Sequence, residues 1–240
     1  MNILVTGSKG FIGKNFVRYL RATPRHNIIE FSRDDLLEDV EKIIDKIDIV
    51  FHLAGLNKKT INEDFEKTNN KLTKKLCKIF EKNINTKIYY ASSTQAAMNN
   101  EYGRSKKECE QIIIKLNNHK KNKIAILRLP GIFGMGCKPN YNSVVATFCF
   151  NVLNRIALNI IAPNKEIEIV FIEDLCDHLA FLIEKNDYQN TYIKIDNINK
   201  ITIDCLAKKI RNFQNISCPS QIKNDFEKKL YKTYSTYKRA

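Results

Sequence analysis

Residues 1–13 read Met1-Asn-Ile-Leu-Val-Thr-Gly-Ser-Lys-Gly-Phe-Ile-Gly13. A β-rich run, Asn2–Thr6, enters Gly7-x-x-Gly10-x-x-Gly13, and a helical pattern, Lys14–Arg21, follows. Glycines at this spacing let the chain turn tightly off a strand, let backbone approach a pyrophosphate and let the helix pack close to the strand. The helix N-terminus then faces the phosphate charge. Three of the chain's 8 glycines fall here in register. Strand before and helix after separate a dinucleotide cradle from an ordinary turn. Gly7, Lys9, Gly10, Phe11, Ile12 and Gly13 are the candidate contacts.

Beyond this stretch β-rich runs alternate with helical patterns. Further strands are predicted at Asn27–Ser32, Ile49–Leu53, Lys87–Ala91 and Lys123–Leu129. Glu63–Lys82 carries Phe65, Leu72, Leu76, Ile79 and Phe80 on one helical face, and Gly103–Asn118 is a further helix. Such alternation predicts an α/β fold, a Rossmann-type doubly wound parallel sheet with right-handed crossovers. After Pro130 the pattern loosens. A loop over 131–141 leads to helix Ser143–Arg155, strand Glu166–Phe171, helix Glu173–Glu184, strand Thr191–Ile195, and helices Thr202–Asn212 and Asn224–Tyr234. The expectation is one domain. Residues 1–134 mainly bind dinucleotide, and 135–240 form a small substrate-binding part.

The chain has 240 residues, enough to bury a large core without staples. Its formal net charge is +14. Lysine occurs 31 times against 9 arginines, and isoleucine 33 times against 8 valines. That skew reads as a composition bias that makes lysine the default surface residue. No helix-turn-helix or RNA-binding aromatic signature accompanies it to mark a nucleic-acid footprint. Seven cysteines lack CxxC spacing, and the four histidines are scattered, so no metal site is expected. Free thiols fit a reducing cytoplasm. No apolar run approaches the ~18 residues of a membrane span, and no basic leader precedes the first strand.

The end of the second strand bears on the cofactor. An acidic residue there bonds the ribose 2′-hydroxyl of NAD, whereas an arginine accommodates the 2′-phosphate of NADP. This chain reads Glu30-Phe-Ser32-Arg33-Asp34. Ser32 and Arg33, with Lys9 in reach, predict NADP in preference to NAD, and Asp34 pulls the other way.

Tyr102-Gly-Arg-Ser-Lys106 places a phenol and an ammonium on one helical face. The lysine is expected to lower the tyrosine pKa toward neutrality, so that the pair can exchange a proton with a carbinol or ketone. Chance supplies about one such pair in a chain this rich in lysine, and Tyr234 with Lys238 is a decoy. Context selects Tyr102. Nine residues upstream a strand ends in Ala91-Ser-Ser93-Thr94. Hydroxyls at strand C-termini meet ligands in open α/β sheets.

These residues resemble the extended short-chain dehydrogenase/reductases that act on nucleotide sugars. The motifs are TGSKGFIG, HLAG (His52–Gly55), YASS (Tyr90–Ser93), YGRSK and LRLPGIFG (Leu127–Gly134), in family order. The resemblance implies a catalytic set of Ser93, Tyr102 and Lys106. It also implies cofactor contacts at Leu53, Ala54, Gly55, Asn69, Tyr102, Lys106 and Pro130. Thr94-Gln95 stands where the 4,6-dehydratases have an acidic pair, which disfavours dehydration. Residues 137–149 and 225–237 resemble the CapF-like capsular-polysaccharide enzymes.

That likeness implies NADPH-dependent reduction of the C4 ketone of a UDP-2-acetamido-2,6-dideoxy-hexos-4-ulose, on the way to N-acetyl-L-fucosamine. It also implies a homodimer. The resembling enzymes continue into a cupin epimerase, whereas this chain ends at Ala240. Truncation and a stand-alone reductase served by a separate cupin-type epimerase both stay open. Asn57, Ser93, Thr94, Lys138, Asn140 and Asn142 are the candidate substrate contacts. Two rivals remain: an NAD-dependent nucleotide-sugar epimerase, and a silent cofactor sensor or nucleic-acid binder.

Overall fold

The computed structural model describes residues 1–59, 64–83, 85–120, 123–185 and 191–239. By packing it divides into two compact units. The first comprises residues 1–129 and 176–195, and the second 130–175 and 196–240.

In the first unit, β1 (Asn2–Thr6), β2 (Asn27–Phe31), β3 (Ile49–His52), β4 (Lys87–Ser93), β5 (Lys123–Leu129) and β8 (Tyr192–Ile193) form one sheet. Its order is β2-β1-β3-β4-β5-β8, every pair parallel. This is the expected Rossmann-like α/β sheet. The order reverses between β1 and β3, so their C-terminal ends frame the crevice where open α/β sheets take ligands. Parallel strands are buried on both faces, and β3 is buried at every residue.

Leu4, Val50, Ile88 and Ile126 pack beneath helices α2 (Leu37–Ile43), α3 (Lys71–Phe80) and α4 (Glu101–Lys120) through Val40, Leu76, Phe80, Cys109 and Ile113. On the opposite face Phe51 meets Phe16 of α1 (Phe11–Ala22), ring centroids 4.8 Å apart, and stacks on Tyr89 at 4.9 Å. The Tyr89 phenol donates to the Leu182 carbonyl at 2.7 Å.

In the second unit β6 (Gly131–Phe133), β7 (Glu166–Phe171) and β9 (Asn199–Thr202) form a small mixed sheet, with helices α5 (Val144–Leu153), α7 (Ile203–Asn212) and α8 (Asp225–Thr236). Helix α6 (Ile172–Glu184) runs from this unit into the first. Phe213, Tyr231 and Tyr234 pack ring on ring. Tyr237 donates to the Cys137 carbonyl, and Lys229 pairs with Asp174 at 2.8 Å.

Several boundaries differ from expectation. β4 extends through Ser93, because Ser92 and Ser93 pair with Arg128 and Leu129. The long helix over 63–82 opens instead as a π-helical turn, Glu66–Asn70, and Glu63 lies outside the described residues. α2, β6 and β9 were not expected. β6 lies within the predicted loop and exists through its pairing with β7, which short local sequence does not announce. Among the described residues no helix is long and apolar enough to cross a membrane.

Candidate active site

The glycine stretch forms a tight cradle. Gly7 takes φ +71°, a left-handed conformation that costs other residues energy. Its amide donates to the Phe31 carbonyl at 2.7 Å, which ties the loop to β2. A Cβ on Gly13 would stand 2.2 Å from the Gly7 carbonyl oxygen, so only glycine lets the helix start this close to the strand. Gly10 sits at the N-cap of α1 with no side-chain cap, and the first turn carries no acid. The first amides of a helix have no intrahelical acceptor. An uncapped, acid-free helix start beside a glycine cradle therefore suits a dinucleotide pyrophosphate. Lys9 and Gly10 are exposed, and Phe11 and Ile12 half-buried, at this end.

At the end of β2 the local acids have taken up the local donors. Lys9 pairs with Asp34 at 2.8 Å. Asp35 accepts from the Ser32 amide at 2.6 Å and from its hydroxyl at 2.8 Å. Those bonds hold the Asp35 carboxyl below its ordinary value. Ser32 is thus buried and engaged, whereas Arg33 is exposed.

After β3, Leu53 and Ala54 follow β1 closely. The Ala54 amide donates to Thr6 Oγ1 at 3.3 Å. Asn69 clamps this loop: its Oδ1 accepts from Leu56 N at 2.6 Å, and its Nδ2 donates to Leu56 O and Ser105 Oγ, both at 3.1 Å. Its amide is therefore engaged with protein groups, which fixes this loop. Gly55 is exposed, with the Lys106 ammonium 3.1 Å from where a Cβ would stand.

Ser93, Tyr102 and Lys106 do come together. Ser93 ends β4 and caps a 3-10 turn, Thr94–Ala97, by accepting from Gln95 N at 3.2 Å. Tyr102 lies in the first turn of α4, whose start is tied by Asn100 Oδ1 accepting from Gly103 N at 2.8 Å. A side-chain hydrogen bond joins Tyr102 to Ser93. Lys106, one turn on, is buried; its Nζ donates to the Ala91 carbonyl at 2.8 Å and to Tyr90 Oη at 3.5 Å.

The electrostatics correct the expectation for the pair. Burial pushes Tyr102 up to about 12, outweighing the Ser93 bond that opposes it. Burial pulls Lys106 down to about 8, with Glu110 resisting. The lysine thus donates to β4, and desolvation controls the phenol.

Three supporting side chains escaped the sequence reading. Phe65 packs on Tyr102, ring centroids 5.4 Å apart, and Lys59 lies over Phe65 while pairing with Glu101 at 2.8 Å. Glu110 is buried and accepts from Arg128 through Nε at 2.9 Å and Nη2 at 2.6 Å, from Tyr192 at 3.1 Å, and from Ser92. Arg128 and Glu110 thus form an ion pair. Only the i, i+4 spacing of Lys106 and Glu110 hinted at it. Asn57 is exposed and Thr94 half-buried in this unit. Pro130 is buried where β5 passes to β6, and Lys138, Asn140 and Asn142 lie exposed in the second unit. Asn140 adopts φ 54° and donates its amide to Thr147 Oγ1 at 2.9 Å.

Comparison with known proteins agrees with this architecture. Residues 3–195 match the NAD dependent epimerase/dehydratase family. A UDP-2-acetamido-2,6-beta-L-arabino-hexul-4-ose reductase of Pseudomonas aeruginosa is 31% identical over 99% of this chain and 65% of its own length. The crystal structure of the capsular polysaccharide assembling protein CapF of Staphylococcus aureus has a TM-score of 0.83 at 32% identity, covering 99% of this chain and 65% of that one. This chain therefore spans 65% of the length of both relatives. A UDP-glucuronic acid 4-epimerase from Bacillus cereus, solved with UDP-glucuronic acid and NAD, shares the fold at TM-score 0.87 and 17% identity, over 100% of this chain and 99% of that one. With a glycine cradle at the sheet's reversal point and a family match across most of its length, the chain belongs to the NAD dependent epimerase/dehydratase family.

Proposed function

We propose that this chain reduces the C4 ketone of a UDP-2-acetamido-2,6-dideoxy-hexos-4-ulose to the 6-deoxy-talose form, with NADPH preferred. The product would serve capsule or O-antigen N-acetyl-L-fucosamine synthesis in the cytoplasm. The observation that carries this reading is the 31% identity, across 99% of the chain, to a protein named for reducing such a UDP-hexulose.

The chemistry is one hydride and one proton added across a carbonyl. When bound, the dinucleotide supplies the hydride. Tyr102 meets the ketone as an acid, because burial keeps its phenol protonated at neutral pH. It gives its proton to the carbonyl oxygen, and Ser93 donates a hydrogen bond to the same oxygen. Lys106, a cation below about pH 8, stabilises the phenolate left behind. Asn57, Thr94, Lys138, Asn140 and Asn142 are the proposed contacts to the sugar nucleotide. A homodimer and a separate cupin-type epimerase belong to the same proposal.

The cofactor preference rests on charge at the end of β2. A 2′-phosphate would draw Lys9 from Asp34 and meet Arg33. A second reading, an NAD-dependent nucleotide-sugar epimerase, draws on Asp34 and Asp35 at that same end.

The test is coenzyme oxidation on mixing the purified chain with the UDP-4-keto sugar. NADPH is expected to be consumed well faster than NADH. Tyr102→Phe should reduce the rate by about 100-fold or more, the scale of a lost general acid. Full activity in Tyr102→Phe would refute the mechanism. Tightly held NAD with no net coenzyme oxidation would favour the epimerase.

A further inference from the structure

A run of buried polar groups crosses the first unit behind the proposed catalytic residues, and the mechanism above uses none of its side chains. The Ala54 amide donates to Thr6 Oγ1 at 3.3 Å, and Thr6 Oγ1 lies 2.8 Å from His52 Nδ1. His52 Nε2 lies 3.2 Å from Thr73 Oγ1, which is 3.5 Å from Cys109 Sγ. Cys109 Sγ lies 3.1 Å from Asn70 Oδ1, and Asn70 Nδ2 donates to Glu108. Thr6, His52 and Cys109 are wholly buried, Thr73 and Asn70 nearly so, and Glu108 is half-buried.

The two ends of this run determine its direction. A carboxylate only accepts, so Asn70 turns its amino group to Glu108 and its carbonyl to Cys109. A carbonyl only accepts, so the Cys109 thiol donates its proton and its sulfur accepts from Thr73. The Thr73 proton is then engaged, so its oxygen accepts from His52 Nε2–H. A neutral imidazole has one N–H, so Nδ1 accepts from the Thr6 hydroxyl. From the other end, the Ala54 amide can only donate, and it leaves the Thr6 proton for His52. Donors and acceptors therefore agree in direction along the whole run. A second branch has the same sense: Lys106 donates to Tyr90 Oη, and Tyr90 hydrogen-bonds Cys109.

We infer that Glu108 anchors a one-way hydrogen-bond chain that locks His52 as the neutral Nε2–H tautomer and aligns the Ala54 amide, making Glu108 and Cys109 positioning residues for the dinucleotide loop. The loop's role rests on the cofactor reading above; the tautomer does not. Chains of this kind polarise one another, so removing the anchor is felt along their length. The neutral state is consistent with the surroundings of His52. Its neighbours are Thr6, Thr73 and the Tyr90 ring, and burial with the Lys106 cation pulls it down to about 3.

The test is long-range proton–nitrogen NMR of histidine-labelled protein, with His52 assigned through His52→Gln, beside a dinucleotide titration. Wild-type His52 is expected to show the Nε2–H pattern, constant from about pH 5 to 9. Glu108→Ala and Cys109→Ala should mix the two tautomers and weaken dinucleotide binding by roughly 3- to 10-fold, the scale of one lost hydrogen bond. Cys109→Ser, which keeps a donor and an acceptor, should restore both readouts. An Nδ1–H or averaged signal in the wild type would overturn the inference, whether or not the variants fold. So would Glu108→Ala that keeps the wild-type signature and affinity. A wild-type chain that binds no dinucleotide would overturn the cofactor reading and the loop-positioning role, while leaving the tautomer assignment standing.

Discussion

Gly103, the residue after the proposed proton donor, should be the most sensitive neutral position near the site. A Cβ there would stand 2.1 Å from the Gln95 carbonyl oxygen and 2.8 Å from that of Met98. Both obstacles are backbone, so no side-chain rotation relieves them. Ordinary contact at 3.4 Å requires α4 and the Thr94–Ala97 turn to separate by about 1.3 Å. Ser93 opens that turn, and Tyr102 precedes Gly103, so the Ser93–Tyr102 bond opens with it. A misplacement near 1 Å costs about 100-fold in rate when the reacting groups must be in register. The strain itself should cost about 1–3 kcal/mol, which lowers Tm by roughly 2–12 °C at this size. Gly103→Ala is thus expected to fold, to bind dinucleotide nearly as the wild type does, and to lose about two orders of magnitude in kcat/KM. Thermal unfolding, coenzyme titration and NADPH oxidation read the three parts separately. Activity within threefold of wild type would refute the claim that this close approach sets the site geometry.

Other outcomes follow from the same residues. Lys106, held near 8 by burial, loses its proton as pH rises through that value; log(kcat/KM) should fall above about pH 8, and a flat profile to pH 10 would remove Lys106 from the acid–base set. Asp34→Asn frees Lys9 from its ion pair, and should raise the NADPH-over-NADH ratio by about 2- to 5-fold, the scale of one exposed charge; an unchanged ratio would place the 2′-position elsewhere. Glu110→Ala strands Arg128, Ser92 and Tyr192, and should cost about 3 kcal/mol, read as a Tm lower by roughly 6–12 °C; a stability within 1 kcal/mol of wild type would show the buried pair to be dispensable.

The five longer strands of the main sheet were legible because each is an apolar run bounded by turn residues. β1 and β5 fall within their predicted bounds. α2 went unseen because its seven residues follow an uncapped start. β8 has two residues, and β6 and β9 become strands only by pairing with longer partners. At the site, the glycine cradle and the YxxxK spacing were legible because both are local. Phe65, Asn100 and Glu110 were not, since each reaches Tyr102, Gly103 or Arg128 through a bond or contact that spacing does not specify.

Sequence alone determined the architecture and the position of the glycine cradle. Those depend on hydrophobic periodicity and on glycine, which act over a few residues. Only the tertiary structure decided what the charged and polar groups do. Lys106 donates to the Ala91 carbonyl, Asn69 clamps Leu56, Lys9 pairs with Asp34, and burial sets the Tyr102 proton affinity. The reason is physical: a polar side chain is governed by its desolvation and by the nearest partner in space, and the fold supplies both.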